Sequence, residues 1–185
     1  MSALAAYKDT PPNMTYIWNK KKLYADAIKK LNRSDSLLVV PINSIDKMDA
    51  TKTTPSLVYL CSVDSIFIFD LIALKENGIT KEMSDIIKSN KIKFVFSKPI
   101  TFNRLGIDNW HNIPNVLDFE ASGEKFSPFD DDGNQEEAGA SAPSTEFRIA
   151  DVDWSVRPFK SDEHFKAGKR IYQLLIVNSY GPKTE

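Results

Sequence analysis

Apolar residues along this chain follow two periods. Leu23, Tyr24, Ala27, Ile28 and Leu31 recur at helical spacing, which predicts a helix capped by Asn19 and running to about Leu31. Lys20, Lys21, Lys22, Lys29, Lys30 and Arg33 decorate its other side as a solvated face. Ser36-Leu37-Leu38-Val39-Val40 is a short continuous apolar run, the mark of a central strand, and Pro41 is expected to end it because proline has no N–H for a ladder. Residues 44–54 read as a polar loop. Leu57 to Val63 and Ile66 to Leu71 predict two strands around Val63-Asp64-Ser65, an antiparallel hairpin. Thr80 is placed to cap a helix that buries Met83, Ile86 and Ile87 and stops near Asn90. Ile92 to Phe96 reads as a buried strand, Pro99 opens a short helix through Leu105, and Ile113 to Phe119 reads as the last strand. Ser161 is expected to cap a final helix with Asp162 and Glu163 in its first turn. Phe165, Ile171, Leu174 and Leu175 form its apolar side, and Gly181-Pro182 ends it.

Composition adds domain limits. Residues 1–13 read as a flexible tail ended by Pro11-Pro12, and 14–180 as a single domain. Between about 122 and 145, glycine, serine, alanine, proline and acids dominate. Such a stretch buries too little apolar surface to offset its ordering entropy, so a disordered acidic loop is expected. With 185 residues, 42% hydrophobic and 26% charged, the chain is long enough for one sizeable core. Its net charge of −1 gives no overall attraction to nucleic acid or anionic membranes. That mean conceals an asymmetry: residues 118–140 hold eight acids against Lys125 alone, leaving the remainder basic.

Cys61 is the only cysteine, which excludes an internal disulfide framework or cysteine zinc site and favours a reducing compartment. Without a signal-peptide pattern, the sequon matches at Asn13 and Asn32 carry no weight, and no apolar run is long enough for a membrane span. A soluble, cytoplasmic protein is expected, with RNA granules as one setting and the nucleus not excluded. No glycine-rich phosphate loop is present, and His111 and His164 lack ligand-spaced partners.

Taken together, several segments resemble the 3′–5′ exonuclease domain of the DEDD class, in its RNase D-like branch. Thr15-Tyr16-Ile17-Trp18 and the following helix are similar to the family's first strand and helix. Leu37-Leu38-Val39-Val40 precedes the place of its Asp-x-Glu motif, here Pro41-Ile42-Asn43. Leu57-Val58-Tyr59-Leu60 and Ile66-Phe67-Ile68-Phe69-Asp70-Leu71 are similar to its next two strands. Lys93-Phe94-Val95-Phe96 leads to its third carboxylate position, Thr101, with Leu105 beyond, and Asn115-Val116-Leu117-Asp118 resembles the strand after that. The most specific match is Asp153-Trp154-Ser155-Val156-Arg157-Pro158-Phe159, which resembles the family's Asp-Trp-Ser-x-Arg-Pro-Leu. The family's Tyr-Ala-Ala-x-Asp helix signature falls on Phe165-Lys166-Ala167-Gly168-Lys169. The resemblance spans roughly residues 15–178, with the acidic loop where the family usually carries one or two helices. It implies an α/β, RNase H-like fold: a mixed sheet of five to six strands with helices on both faces.

Against that family, the chemistry is altered at five places. The family hydrolyses phosphodiesters with two divalent cations held by carboxylates. Pro41 offers no side-chain ligand, Asn43 and Thr101 offer neutral oxygens, Lys169 puts a cation at a ligand position, and Phe165 lacks the tyrosine hydroxyl. Opposite unit charges 4 Å apart attract by about 4 kcal/mol at an effective dielectric of 20, and lysine for aspartate reverses that sign. The resemblance therefore implies a pseudo-exonuclease with no catalytic residues, no metal and no cofactor. Trp154 and Arg157 are read as packing and anchoring residues. Inactive members of the family are associated with RNA transport or small-RNA silencing. The expected role is thus a protein-interaction scaffold whose partner is another protein of an RNA-processing complex, with a homodimer left open. The alternative is non-cleaving binding of single-stranded RNA in the vestigial cleft. Lys98, Arg104, Lys166, Lys169 and Arg170 would then ring it, and Phe96 and Phe165 would be available for stacking. No membrane partner is expected.

Overall fold

A computed structural model describes residues 13–45, 53–119, 164–169 and 171–172. The tail through residue 12, the acidic loop, the Trp154–Arg157 motif, the cap at Ser161, Arg170, and Leu174 onward lie outside the described residues.

Six strands, β1 (Asn13–Ile17), β2 (Ser36–Ile45), β3 (Thr53–Cys61), β4 (Ser65–Asp70), β5 (Ile92–Val95) and β6 (Val116–Asp118), form one sheet in the order β1-β4-β3-β2-β5-β6. β3 runs antiparallel to both its neighbours, β2 and β4, and the other pairings are parallel. This is the expected mixed sheet, with the hairpin between β3 and β4 where the two apolar runs placed it. Ser62 closes that turn, its N–H donating to the Ser65 carbonyl at 2.8 Å and its hydroxyl to Asp64 at 2.7 Å.

Pro41 does not end β2, contrary to expectation. It pairs with Val58 in mid-strand, and β2 continues to Ile45. The reason lies in the sheet. β2 pairs with β5 only at Ser36, Leu37 and Leu38, so beyond that point one side of β2 has no ladder among the described residues, and a proline there breaks none of them. The predicted polar loop at 44–54 shortens accordingly, because β2 and β3 reach into it from both sides. A β-bulge follows directly: Ile42 pairs with Leu57 but Asn43 with Pro55. Ser56 is the extra residue. It is buried, its hydroxyl donates to the Ile42 carbonyl at 3.0 Å, and its own carbonyl accepts from Leu71 N–H at 2.9 Å. Both polar groups of the bulge are thereby satisfied.

Three helices cover one face: α1 (Lys22–Arg33), α2 (Lys81–Lys88) and α3 (Lys98–Arg104). Strand alternation sends Leu37, Val39, Val58, Leu60, Phe67 and Phe69 to this side, where they meet Ala27 and Leu31 of α1, Met83 and Ile87 of α2, and Phe102 of α3. The cap at Thr80 is present, its hydroxyl oxygen accepting from Met83 N–H at 3.3 Å. The same oxygen lies 2.6 Å from the Tyr24 hydroxyl and ties α2 to α1. Asn19 does not cap α1. It accepts from Lys21 N–H at 3.1 Å, the helix starts at Lys22, two residues later than an Asn19 cap would start it, and it runs on to Arg33. Leu23 was expected on the buried stripe but is 52% exposed, while its neighbour Tyr24 is buried.

The opposite face carries Leu38, Val40, Ile42, Leu57, Tyr59, Cys61, Ile66 and Ile68, together with Phe96 and Phe119. Residues 164–169 and 171–172 are helical and lie over it through Ala167, Ile171 and Tyr172. Helices therefore flank both faces. No helix among the described residues is long and apolar enough to cross a membrane.

Candidate functional site

β2 outruns β5, so the stretch holding Pro41 and Asn43 forms an open edge of the sheet, and α3 packs against β2 and β3 beside it. Pro41 is buried. Asn43 is half-buried opposite Pro55, just past the bulge. Thr101, in α3, is fully buried, and its hydroxyl donates to the Phe96 carbonyl at 2.8 Å. That bond turns the side chain back onto the start of its own helix.

The start of α3 is fixed from outside. Ser97 has φ +57, an uncommon backbone for a residue other than glycine. Asp118 in β6 compensates, its two carboxylate oxygens accepting from Ser97 N–H at 3.0 Å and Lys98 N–H at 2.7 Å. A carboxylate at a helix start satisfies orphan donors and suits the helix dipole. Lys98 itself is half-buried at this junction.

On the other side of the sheet, the C-terminal helical segment is held by three contacts. The Tyr59 hydroxyl donates to the His164 carbonyl at 2.9 Å, and the Tyr172 hydroxyl donates to the Val63 carbonyl at 2.8 Å. Between them Gly168 approaches so closely that a Cβ would lie 3.2 Å from a Tyr59 ring carbon and 3.3 Å from the Met14 sulfur. Phe165 is half-buried against the second core cluster, its ring 4.3 Å from that of His164. His164 in turn lies 4.7 Å from the ring of Tyr16, whose hydroxyl donates to the buried carboxylate of Asp70. Lys166 and Lys169 are exposed, so each ammonium keeps its hydration.

The segments that hold the five positions set by the resemblance (β2, the approach to α3 and the helical segment) border one apolar cluster. Val40 and Ile42 of β2, Phe96 before α3, and Ala167 and Ile171 belong to one apolar cluster. The predicted basic residues fall in two places. Lys166 and Lys169 stand on the helical segment. Arg104 sits at the end of α3 in a groove on the α1–α3 side, where burial pulls its pKa below the ordinary guanidinium value. Sequence reasoning did not find this groove, whose walls come from the end of α3 and from α2. The roles of Tyr59, Asp118 and Gly168 also escaped it, since nothing local in the chain marks a partner so distant in sequence. Cys61 is buried as expected, and burial pushes its thiol well above the ordinary range, which makes it inert.

No family model matches the sequence, and no curated protein matches it. Solved structures do. The EXO domain of Aedes aegypti Nibbler is 14% identical with a TM-score of 0.63, over 89% of this chain and 85% of that one. Trypanosoma brucei RNase D in complex with RNA U12 is 15% identical with a TM-score of 0.65, over 100% of this chain and 68% of that one. Escherichia coli RNase D, an exoribonuclease involved in structured RNA processing, is 12% identical with a TM-score of 0.61, over 90% of this chain. The match covers 44% of that enzyme, so this chain spans less than half of it. At these identities the likeness establishes the fold: an RNase H-like exonuclease fold, shared with 3′–5′ exonuclease domains.

Proposed function

We propose that this chain is a non-catalytic exonuclease-like domain that works as a protein-interaction scaffold in an RNA-related pathway, small-RNA silencing or mRNA transport. Its partner is another protein of an RNA-processing complex. The carrying observation is the residue set at the family's catalytic positions: Pro41, Asn43, Thr101, Phe165 and Lys169. Two-metal hydrolysis requires hard anionic oxygens there. The geometry around two of the positions supports the reading. Pro41 is buried, and the Thr101 hydroxyl is buried on a backbone carbonyl. With magnesium or manganese, purified protein leaves a labelled single-stranded RNA at full length, above the same buffer without protein. Metal-dependent shortening by a preparation free of other nucleases overturns the proposal. Affinity purification followed by mass spectrometry identifies the partner.

A second reading is favoured by the exposure of Lys166 and Lys169 beside the half-buried Phe165. In that reading single-stranded RNA binds the vestigial cleft without being cut, and Lys169 contacts phosphate. Lys169→Glu then weakens RNA binding on all sequences alike and lowers the salt slope by about one unit. As a scaffold, the variant keeps its partner affinity.

A further inference from the structure

The groove at the end of α3 is distinct from the vestigial cleft. It is a cavity of about 630 Å³ whose walls include Lys81, Ser84, Lys88, Asn103, Arg104 and Gly106. A second cavity of about 420 Å³, with Asn109 and Asn112 in its wall, shares Lys88, Gly106 and Ile107 with the first, so the two form one elongated groove. Its floor is apolar, made by Leu105, Ile107 and Ile113, all nearly buried. One end reaches Pro55, the register partner of Asn43. Because Leu105, Ile107 and Ile113 belong to the cluster under α1–α3, the groove lies across the sheet from the helical segment that carries Lys166 and Lys169.

From this arrangement we infer that the groove is a binding site for a nucleoside phosphate, either free or as one unit of an RNA strand. Each part of such a ligand has a counterpart. The size falls within the range of small-molecule sites, about 300–1,000 Å³. Lys88 lies where the two cavities join, and Arg104 and Lys81 line the larger one, so cations stand along its length for phosphate. Lys81 also holds Asp85 at 3.0 Å, and Asp108 is the acid of the smaller cavity. Asn103, Asn109 and Asn112 each offer both a donor and an acceptor, as base edges require. The apolar floor suits the face of a base or sugar. An acidic peptide would use the cations but has no need of the amides or the floor.

Gly106 supplies a clean test. It has φ +69, and a Cβ built there meets nothing within 4 Å, so a side chain at this position projects into open groove. Asn and Asp both tolerate this backbone region and have nearly equal volume. Gly106→Asp and Gly106→Asn therefore differ chiefly in charge. Fluorescence anisotropy of a short labelled oligouridylate at low salt, with uridine monophosphate as competitor, reads the site. Saturable binding is expected, weakened about tenfold by Gly106→Asp and by Lys88→Glu, and changed less than about threefold by Gly106→Asn. Lys169→Glu leaves it intact, which separates this site from the vestigial cleft. Displacement by uridine monophosphate marks the single nucleotide as sufficient, and displacement only by unlabelled oligonucleotide marks the strand as the ligand. The inference is overturned by absence of binding at low salt, by binding indifferent to Gly106→Asp and Lys88→Glu, or by equal displacement with an oligoglutamate peptide. Loss of binding in Lys169→Glu alone also overturns it and returns RNA to the vestigial cleft.

Discussion

The two faces of the sheet are covered by different means. One carries α1, α2 and α3, with apolar side chains at helical spacing and a cap where α2 begins. The other is covered by a helical segment that arrives from more than a hundred residues away and docks through small residues and tyrosine hydroxyls: Tyr59 to His164 and Tyr172 to Val63. Both faces bury apolar side chains, and the described helical segment adds to the second a close approach at Gly168 and two placed hydrogen bonds. Phe165 and Lys169, which the resemblance alone sets at the family's last two catalytic positions, belong to the second.

The contrast is tested first by emptying the bulk-packed face. Phe69 is fully buried in β4 and meets Tyr24 edge-on at 5.8 Å. Phe69→Ala is expected to cost about 3–5 kcal/mol, read as a lower urea midpoint, because the cavity left in a rigid layer does not close. A smaller cost there would mean that this face is as loosely held as its opposite.

The next effect in size belongs to the helical segment. Glycine within a helix costs about 1 kcal/mol relative to alanine. At Gly168 the near contact with Tyr59 and Met14 explains its presence. Gly168→Val is expected to destabilise by roughly 1–3 kcal/mol through overpacking. Amide hydrogen exchange should accelerate in residues 164–172 while strands β2 to β4 keep their protection. Uniform acceleration through the sheet would show that the two faces unfold as one.

The smallest effect concerns Lys93, buried in β5 with its ammonium donating to the Ser89 carbonyl at the end of α2. Burial first, and the nearby charge of Lys91 second, hold its pKa below the ordinary lysine value. In the window between that depressed value and the unfolded lysine value of about 10.4 the unfolded chain binds more protons, so stability rises with pH. Below the window the burial cost is constant. Lys93→Met is expected to flatten this slope in urea midpoints taken from about pH 7 to about pH 10. An unchanged slope would assign the pH dependence to other groups.

Much of the fold was legible in particular residues. Thr80 three positions before Met83, the alternation in β3 and β4, and Pro99 at the start of α3 each act through neighbours in sequence, where propensity and periodicity operate. The misreadings came where a local rule met a distant partner. Pro41 should end a strand, yet β5 stops short, and among the described residues no ladder on that side needs its missing N–H. Asn19 should cap a helix, yet it closes a turn before α1 instead.

By itself the sequence determined the element order and the apolar faces, because identity and period are properties of the chain. Tertiary structure alone decided that Asp118 clamps the start of α3, that Gly168 seats against Tyr59, and that Lys88, Arg104 and Asn109 share one groove. Those juxtapositions depend on how helices and strands distant along the chain are brought together, and no window of neighbouring residues encodes a distance between elements that meet only after folding.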